Sequence, residues 1–335
     1  MKTHELFATP ETVHYGYYDY RLDPVLTVES GDRVIAHTVS GRDGFLPDDA
    51  GRIPKGLTDI LARSRQGAGP HMLTGPVTVT GAEPGDVLEV AIEEIKLACD
   101  WGWNLIRVFG GALPEDFPYN ACRVIDLDLE GRTAEVAPGW KVPLKPFFGQ
   151  LGVCPPESYG EIPSNPPHIH GGNLDNKDLV AGSTVYLPVW KPGAGFSIGD
   201  GHAVQGDGEV NQTAVETCMD GTVRLTVRKD MKLSLPRAET PTHYITMGFD
   251  RGLDNASKTA LREMINFLSH EHGLSRENNR QSAKLKGGQY TLARSEADAP
   301  DIDGRVYVQG ELPLGDFSWV RVIGHTDYDL IAERM

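Results

Sequence analysis

The residues of this chain best suited to chemistry crowd between positions 167 and 216. The stretch opens Pro167-His168-Ile169-His170-Gly171-Gly172-Asn173-Leu174-Asp175. It continues Gly199-Asp200-Gly201-His202 and Gln205-Gly206-Asp207-Gly208-Glu209, and closes at Glu216. Imidazoles, carboxylates and an amide, separated mostly by glycine and apolar residues, suit a divalent ion held by nitrogen and oxygen. A carboxylate is left over for proton transfer. An enzyme is the first expectation, and a hydrolase the first class.

Asp200 and His202 stand two apart on an expected strand, which puts both side chains on one face. Gly199 and Gly201 remove bulk beside them. They read either as metal ligands or as a hydrogen-bonded Asp-His pair in a polar turn. His168 and His170 repeat the spacing behind Pro166-Pro167. His170 abuts the Gly171-Gly172 bend and is the candidate ligand, with His168 in support. Glu209 and Asp207 alternate within a glycine frame. Glu209 is the candidate general base, and Glu216 or Asp207 supports it. Asn173 offers an amide to a carbonyl or oxyanion, or closes an ordinary Asx turn.

Cys154 and Cys218 are the alternative nucleophiles. Nothing in the sequence near Cys154 would lower its pKa, and Glu216 near Cys218 acts in the opposite sense. There is no Gly-x-Ser-x-Gly, phosphate loop or dinucleotide glycine fingerprint. Trp101, Trp103, Trp140, Phe147 and Phe148 sit in Gly/Pro-rich segments. They are either plugs beneath loops or the wall of a small apolar pocket.

The elements that must position these groups are short. The chain has 38 Gly and 23 Pro, and its brief apolar runs predict a β-rich fold with many turns. Glu29-Ser30-Gly31-Asp32-Arg33-Val34 is echoed by Glu83-Pro84-Gly85-Asp86-Val87-Leu88. In each, Gly-Asp makes a turn and an alternating strand follows, the second placing Leu88, Val90 and Ile92 on one face. Ser183–Val189 and Arg305–Gly310 also read as strands. One long helix is predicted near the C-terminus, capped by Asp254 or Asn255. Its apolar positions are Ala256, Ala260, Leu261, Met264, Ile265 and Leu268, and it stops at Gly273. The Pro-rich stretch 143–166 gives a soft boundary between an N-terminal β-rich domain, 1–150, and a site-bearing segment with an α/β portion, 151–335. A single domain stays open.

With 335 residues, 39% of them hydrophobic and 24% charged, the chain can build a packed core and is not of disordered composition. A net charge of −15 argues against nucleic-acid or anionic-membrane partners. No apolar stretch of about 18 residues is present to span a bilayer. Met1–Leu6 lacks the apolar run of a secretory leader, so a cytoplasmic location is expected. The four cysteines are scattered without a Cys-x-x-Cys pair, and no disulfide frame is expected.

Longer motifs add to this reading. They are Gly69-Pro70-His71-Met72-Leu73-Thr74-Gly75-Pro76-Val77, Gly81–Leu88, Leu113–Phe117, Gly171–Asp175 and the run from Gly182 to Glu209. On these the chain resembles the acetamidase/formamidase family over about residues 25 to 270. The resemblance implies hydrolysis of a short amide to carboxylate and ammonia. It also implies a β-sandwich or barrel body with a smaller α/β portion, a homo-oligomer, and His71 as a site residue. Segments 277–283 and 297–303 depart from the family's pattern.

The combined expectation is a metal-dependent hydrolase of formamide- or acetamide-type substrates. Zinc suits the donors best, held by His71, His170, Asp200 and His202. Glu209 acts as base with Glu216 or Asp207 beside it, and Asn173 orients the amide. A covalent cysteine amidase without a metal, and a non-enzymatic metal- or sugar-binding β-domain, are the alternatives.

Overall fold

The computed structural model describes residues 1–274, 290–293, 306–309, 320–325 and 330–334. The divergent segments 277–283 and 297–303 lie outside them. Two compact units are present, Met1–Gly252 and Leu253–Met335.

The first unit is built from two large sheets. The seven-stranded sheet runs in the order Thr3–Leu6, Asp32–Thr38, Met219–Arg228, Val87–Leu97, Thr184–Pro188, Arg237–Glu239 and Tyr244–Thr246. Alternation explains its two faces. Along Asp32–Thr38 every second residue is buried, and Leu88, Val90 and Ile92 point inward as expected. Glu93 faces outward, between Arg33 and Arg224. The echoed turns fold alike. Gly31 and Gly85 have φ of 94° and 90°, in the left-handed region that glycine adopts freely. In each turn the following Asp accepts a hydrogen bond from the backbone N–H three residues before it, Glu29 for Asp32 and Glu83 for Asp86.

The eleven-stranded sheet has Ala194–Val204 at its centre. That strand bonds to Phe147–Gly152, Met72–Val79 and Val215–Thr217, and all but its last residue is buried. The facing surfaces of the two sheets share one core. Val34, Val90, Val185 and Val223 of the first sheet pack in one cluster with Val77, Phe148, Leu151, Phe196 and Ile198 of the second. This is a sandwich, the mainly β architecture expected.

The boundary expected near residue 150 falls inside Phe147–Gly152. That strand is bonded on both sides to strands from later in the chain, so residues before and after 150 share one sheet. The compact units divide instead between Gly252 and Leu253. A short helix, Leu57–Arg63, was not predicted. Only Leu57 and Ile60 anchor it, too few to show a period.

The second unit contains the long helix, Leu253–Glu271. It begins two residues earlier than a cap at Asp254 predicts, so Asp254 lies in its first turn, where a negative charge suits the helix dipole. Four strands follow, Tyr290–Ala293, Val306–Gln309, Val320–His325 and Leu330–Arg334, joined in one sheet. Among the described residues no helix is long and apolar enough to cross a membrane.

Candidate active site

The buried central strand carries both Asp200 and His202. Asp200 has φ of 58°, and Asp175 and Glu209 each have 42°. Non-glycine residues seldom adopt this left-handed region, Asp and Asn more readily than most. Strained backbone thus collects among the acids of one cluster. His202 Nε2 lies 3.4 Å from Asp200 Oδ2 and 3.3 Å from Glu216 Oε2. His71 Nε2 lies 3.8 Å from the same Asp200 oxygen. Ligand atoms of Asp175, Asp200 and His202 fall within 4.8 Å of one another, and so do those of His202, Glu209 and Glu216. Gly149 leaves the space they occupy. A Cβ there would stand 2.4 Å from Asp200 Oδ2 and 2.5 Å from Asp175 Oδ1.

A buried amide network fixes the cluster from behind. Gln150 Nε2 donates to Asn173 Oδ1 at 2.7 Å and to the Ser164 carbonyl at 2.8 Å. It also lies 3.0 Å from His71 Nδ1. Tyr18 donates its hydroxyl to Gln150 Oε1 at 3.1 Å. Asn173 Nδ2 in turn donates to Asp175 Oδ2 at 2.5 Å. Asn173 therefore positions Asp175 through one of the two N–H donors of its amide. Gln150 escaped the sequence reading. Its signal was a lone amide in the apolar strand Phe147-Phe148-Gly149-Gln150-Leu151, where a buried polar side chain must find partners.

The electrostatics are those of a site with too many acids for its cations. Burial opposes charge on His202, but Glu216 and Asp200 outweigh it and hold its pKa well above the usual value. Burial would likewise raise Asp200, yet His71 and His202 hold it well below the ordinary carboxylate range. The remaining acids are pushed up. Burial, reinforced by Asp200, raises Asp175 strongly and Glu209 less. Burial takes Glu216 up to about 7, with His202 pulling the other way. Asp175 Oδ1 and Glu216 Oε2 are buried without a hydrogen bond among the described residues. Crowded imidazole and carboxylate donors with orphaned oxygens fit a divalent cation.

Two expected site residues stand elsewhere. His170 is fully buried, edge-on to Tyr18 at 4.7 Å between ring centroids, and among the described residues neither ring nitrogen has a hydrogen bond. Burial, with His168 nearby, pushes its pKa down to about 3. The Gly171-Gly172 bend turns its ring into the Tyr18 side of the sheet, and it joins neither ligand group. Asp207 is 87% exposed and pairs with Lys177. It sits in the short 3-10 turn Asp207–Glu209, not on a strand, so the expected alternation with Glu209 does not hold. Cys154 and Cys218 are buried. Burial pushes the Cys154 thiol up to about 11.

A cavity of about 50 Å³ opens onto the cluster. His71, Asp200 and Glu216 give it imidazole and carboxylate, Val39, Met72, Leu105 and Trp103 give it apolar surface, and Arg42 and Arg107 are the more exposed of its lining side chains. Trp103 packs on Phe45 and donates its indole N–H to Ser40 Oγ at 3.1 Å. Of the aromatic residues expected to form a wall, Trp103 does so. Phe147 is edge-on to His202, Trp101 and Phe148 belong to the core clusters, and Trp140 is exposed.

Fold and site together define a two-sheet β-sandwich with a buried carboxylate–imidazole cluster beside a small cavity, and comparison with known proteins narrows this. Residues 3–162 and 160–278 match the Acetamidase/Formamidase family. The chain belongs to that family. It is 29% identical over 191 residues to a formamidase of Methylophilus methylotrophus, covering 42% of this chain and 47% of that protein. A crystal structure of an acetamidase from Bacillus halodurans superposes with a TM-score of 0.72 at 32% identity, covering 86% of this chain and 91% of the other. The chain spans about half the length of the curated relatives it matches. Beyond the family match, residues 283–335 match a TRAM domain. A stretch of 41 residues is 68% identical to a ribosomal protein uS12 methylthiotransferase of Opitutus terrae, covering 12% of this chain and 9% of that protein. The C-terminal sequence from residue 283 is thus similar to proteins outside the family.

Proposed function

We propose that the chain hydrolyses a short aliphatic amide of the formamide or acetamide type to carboxylate and ammonia, with a divalent ion at the acid cluster. The observation that carries this is the convergence of Asp175, Asp200, His202 and Glu216 in one cluster, of which Asp200 and Glu216 line a small cavity together with Trp103. Asp175, Asp200 and His202 would hold the ion, with His71 beside Asp200, and zinc suits these donors. A bound ion supplies a polarised carbonyl and a water of lowered pKa.

The chain's own groups do the rest. Glu216 lines the cavity and Glu209 does not, so Glu216 takes the role of base, with Glu209 behind it. It accepts a proton as water oxygen bonds to the carbonyl carbon. It then gives a proton to the amide nitrogen as the carbon–nitrogen bond breaks, releasing ammonia. Gln150 and Asn173 hold His71 and Asp175 in place. Neither Cys154 nor Cys218 lines the cavity, so no observation favours covalent catalysis.

The test is ammonia release from a series of short amides, before and after exhaustive chelation and on metal return. Activity that survives removal of all metal would overturn the metal assignment. Ammonia from no amide would overturn the reaction.

A further inference from the structure

The lining of the cavity carries two positive charges that the reaction above does not use. Arg42 is half-buried and Arg107 exposed, and both line the same cavity as His71, Asp200 and Glu216. Among the described residues neither guanidinium has a hydrogen bond or ion pair. The chain has 47 acidic residues against 32 basic ones, so carboxylate partners are in excess. Elsewhere arginines take them: Arg52, Arg65 and Arg228 each reach a carboxylate within 3 Å. The cavity's own acids, Asp200 and Glu216, are directed at His202 and His71.

The lining offers three kinds of surface to a ligand. His71, Asp200 and Glu216 offer imidazole and carboxylate to the reacting amide, and Val39, Met72, Leu105 and Trp103 offer apolar contact to a short carbon chain. The more exposed Arg42 and Arg107 offer guanidinium to an anion. A planar guanidinium matches a carboxylate through paired N–H donors, and it is well suited to an interface because it is weakly hydrated.

We propose that Arg42 and Arg107 select short amides bearing a carboxylate at the end distant from the amide. This rests on the amide-hydrolase reading and names the substrate class within it. The same two arginines would hold the terminal carboxylate of the dicarboxylate product.

The experiment compares charged amides with neutral isosteres. Malonamate is set against 3-methylbutanamide, and succinamate against 4-methylpentanamide. Each pair is run with wild type, Arg42→Gln, Arg107→Gln and the double variant. In wild type the charged member of at least one pair should have the higher kcat/KM, by about tenfold or more, through KM. Added salt should shrink that ratio, because an exposed charge contact is screened. The double variant should lose most of the ratio while the neutral amide changes less than about threefold. A wild-type ratio near one in both pairs, or a ratio that survives in the double variant, overturns the proposal. Binding of succinamate is measured in parallel by calorimetry. If no amide is hydrolysed, the reaction reading fails, and binding still decides the role of the arginines: loss of affinity in the double variant supports it and unchanged affinity sinks it. The single variants serve if the double variant does not fold.

Discussion

His202 and Glu216 are direct cross-strand partners, with Nε2 and Oε2 3.3 Å apart and both side chains buried. Thirteen residues of chain lie between them, but one ladder of hydrogen bonds brings them together. The pair joins the two groups of donors, since His202 belongs to both.

If that junction holds a divalent ion, His202→Ala and Asp200→Asn should each purify with far less than one equivalent of metal and remain folded. Elemental analysis alongside circular dichroism checks both halves. A variant that keeps its metal shows that its residue is not a ligand.

The base assignment follows from which acid meets the cavity. Glu216→Gln should lower kcat by about 10²-fold or more, the scale of a lost acid–base group. It should do so with metal retained. Glu209→Gln should cost less. The reverse ranking would restore Glu209, the residue the sequence favoured.

That change of rank shows where the sequence stops being legible. Its alternating runs gave the strands, and the glycine-flanked Asp200-x-His202 gave the heart of the site, because local spacing is written in local sequence. The echoed Gly-Asp turns were readable for the same reason. Pairings between distant strands were not. Nothing near Glu216 says that its strand lies beside His202, nor anything near Gln150 that it will support His71 and Asp175. His170 misled because two histidines two apart look like ligands until the bend at Gly171 turns one of them away. His71 came from family motifs alone, since a single histidine after a Gly-Pro loop has no spacing to interpret.

Gly149 tests the packing of the acids directly. Its missing side chain is what allows Asp200 and Asp175 to close on the strand, as a Cβ would meet them at 2.4 and 2.5 Å. Gly149→Ala should displace one or both carboxylates. Metal affinity should fall by about 10-fold to 100-fold, as when support for a ligand is lost, without global unfolding. Competition against a chelator of known affinity measures it. Unchanged affinity would place the ion away from these two acids.

A pH dependence of stability should come from Asp32, away from the site. His4, then the Lys2 and Glu29 N–H groups, hold its carboxyl down to about 2. The folded state therefore favours the charged form. This contribution is full above the ordinary carboxylate value near 4 and is lost as pH falls toward about 2. Asp32→Asn should lower Tm at pH 7, and the gap from wild type should narrow as the pH is taken from about 5 to about 3. A gap that stays constant over that range would show that the loss is one of packing and not of charge.

Substrate size should depend on Trp103. Its ring forms part of the apolar lining, held by stacking on Phe45 and by the bond to Ser40. One methylene in an apolar pocket changes binding by only about 1–3 kcal/mol. Sharp exclusion of longer chains therefore needs a rigid wall rather than graded preference. In wild type, kcat/KM over unbranched neutral amides should be high for the shortest acyl groups and fall steeply once the chain is longer than that of succinamate. Trp103→Ala removes the ring and should move the optimum to longer acyl groups. Ser40→Ala removes the hydroxyl that accepts the indole N–H but leaves the ring in place, so it should soften the cutoff only slightly. If Trp103→Ala lowers activity on every amide by the same factor, the ring supports the fold of the site and does not measure the substrate.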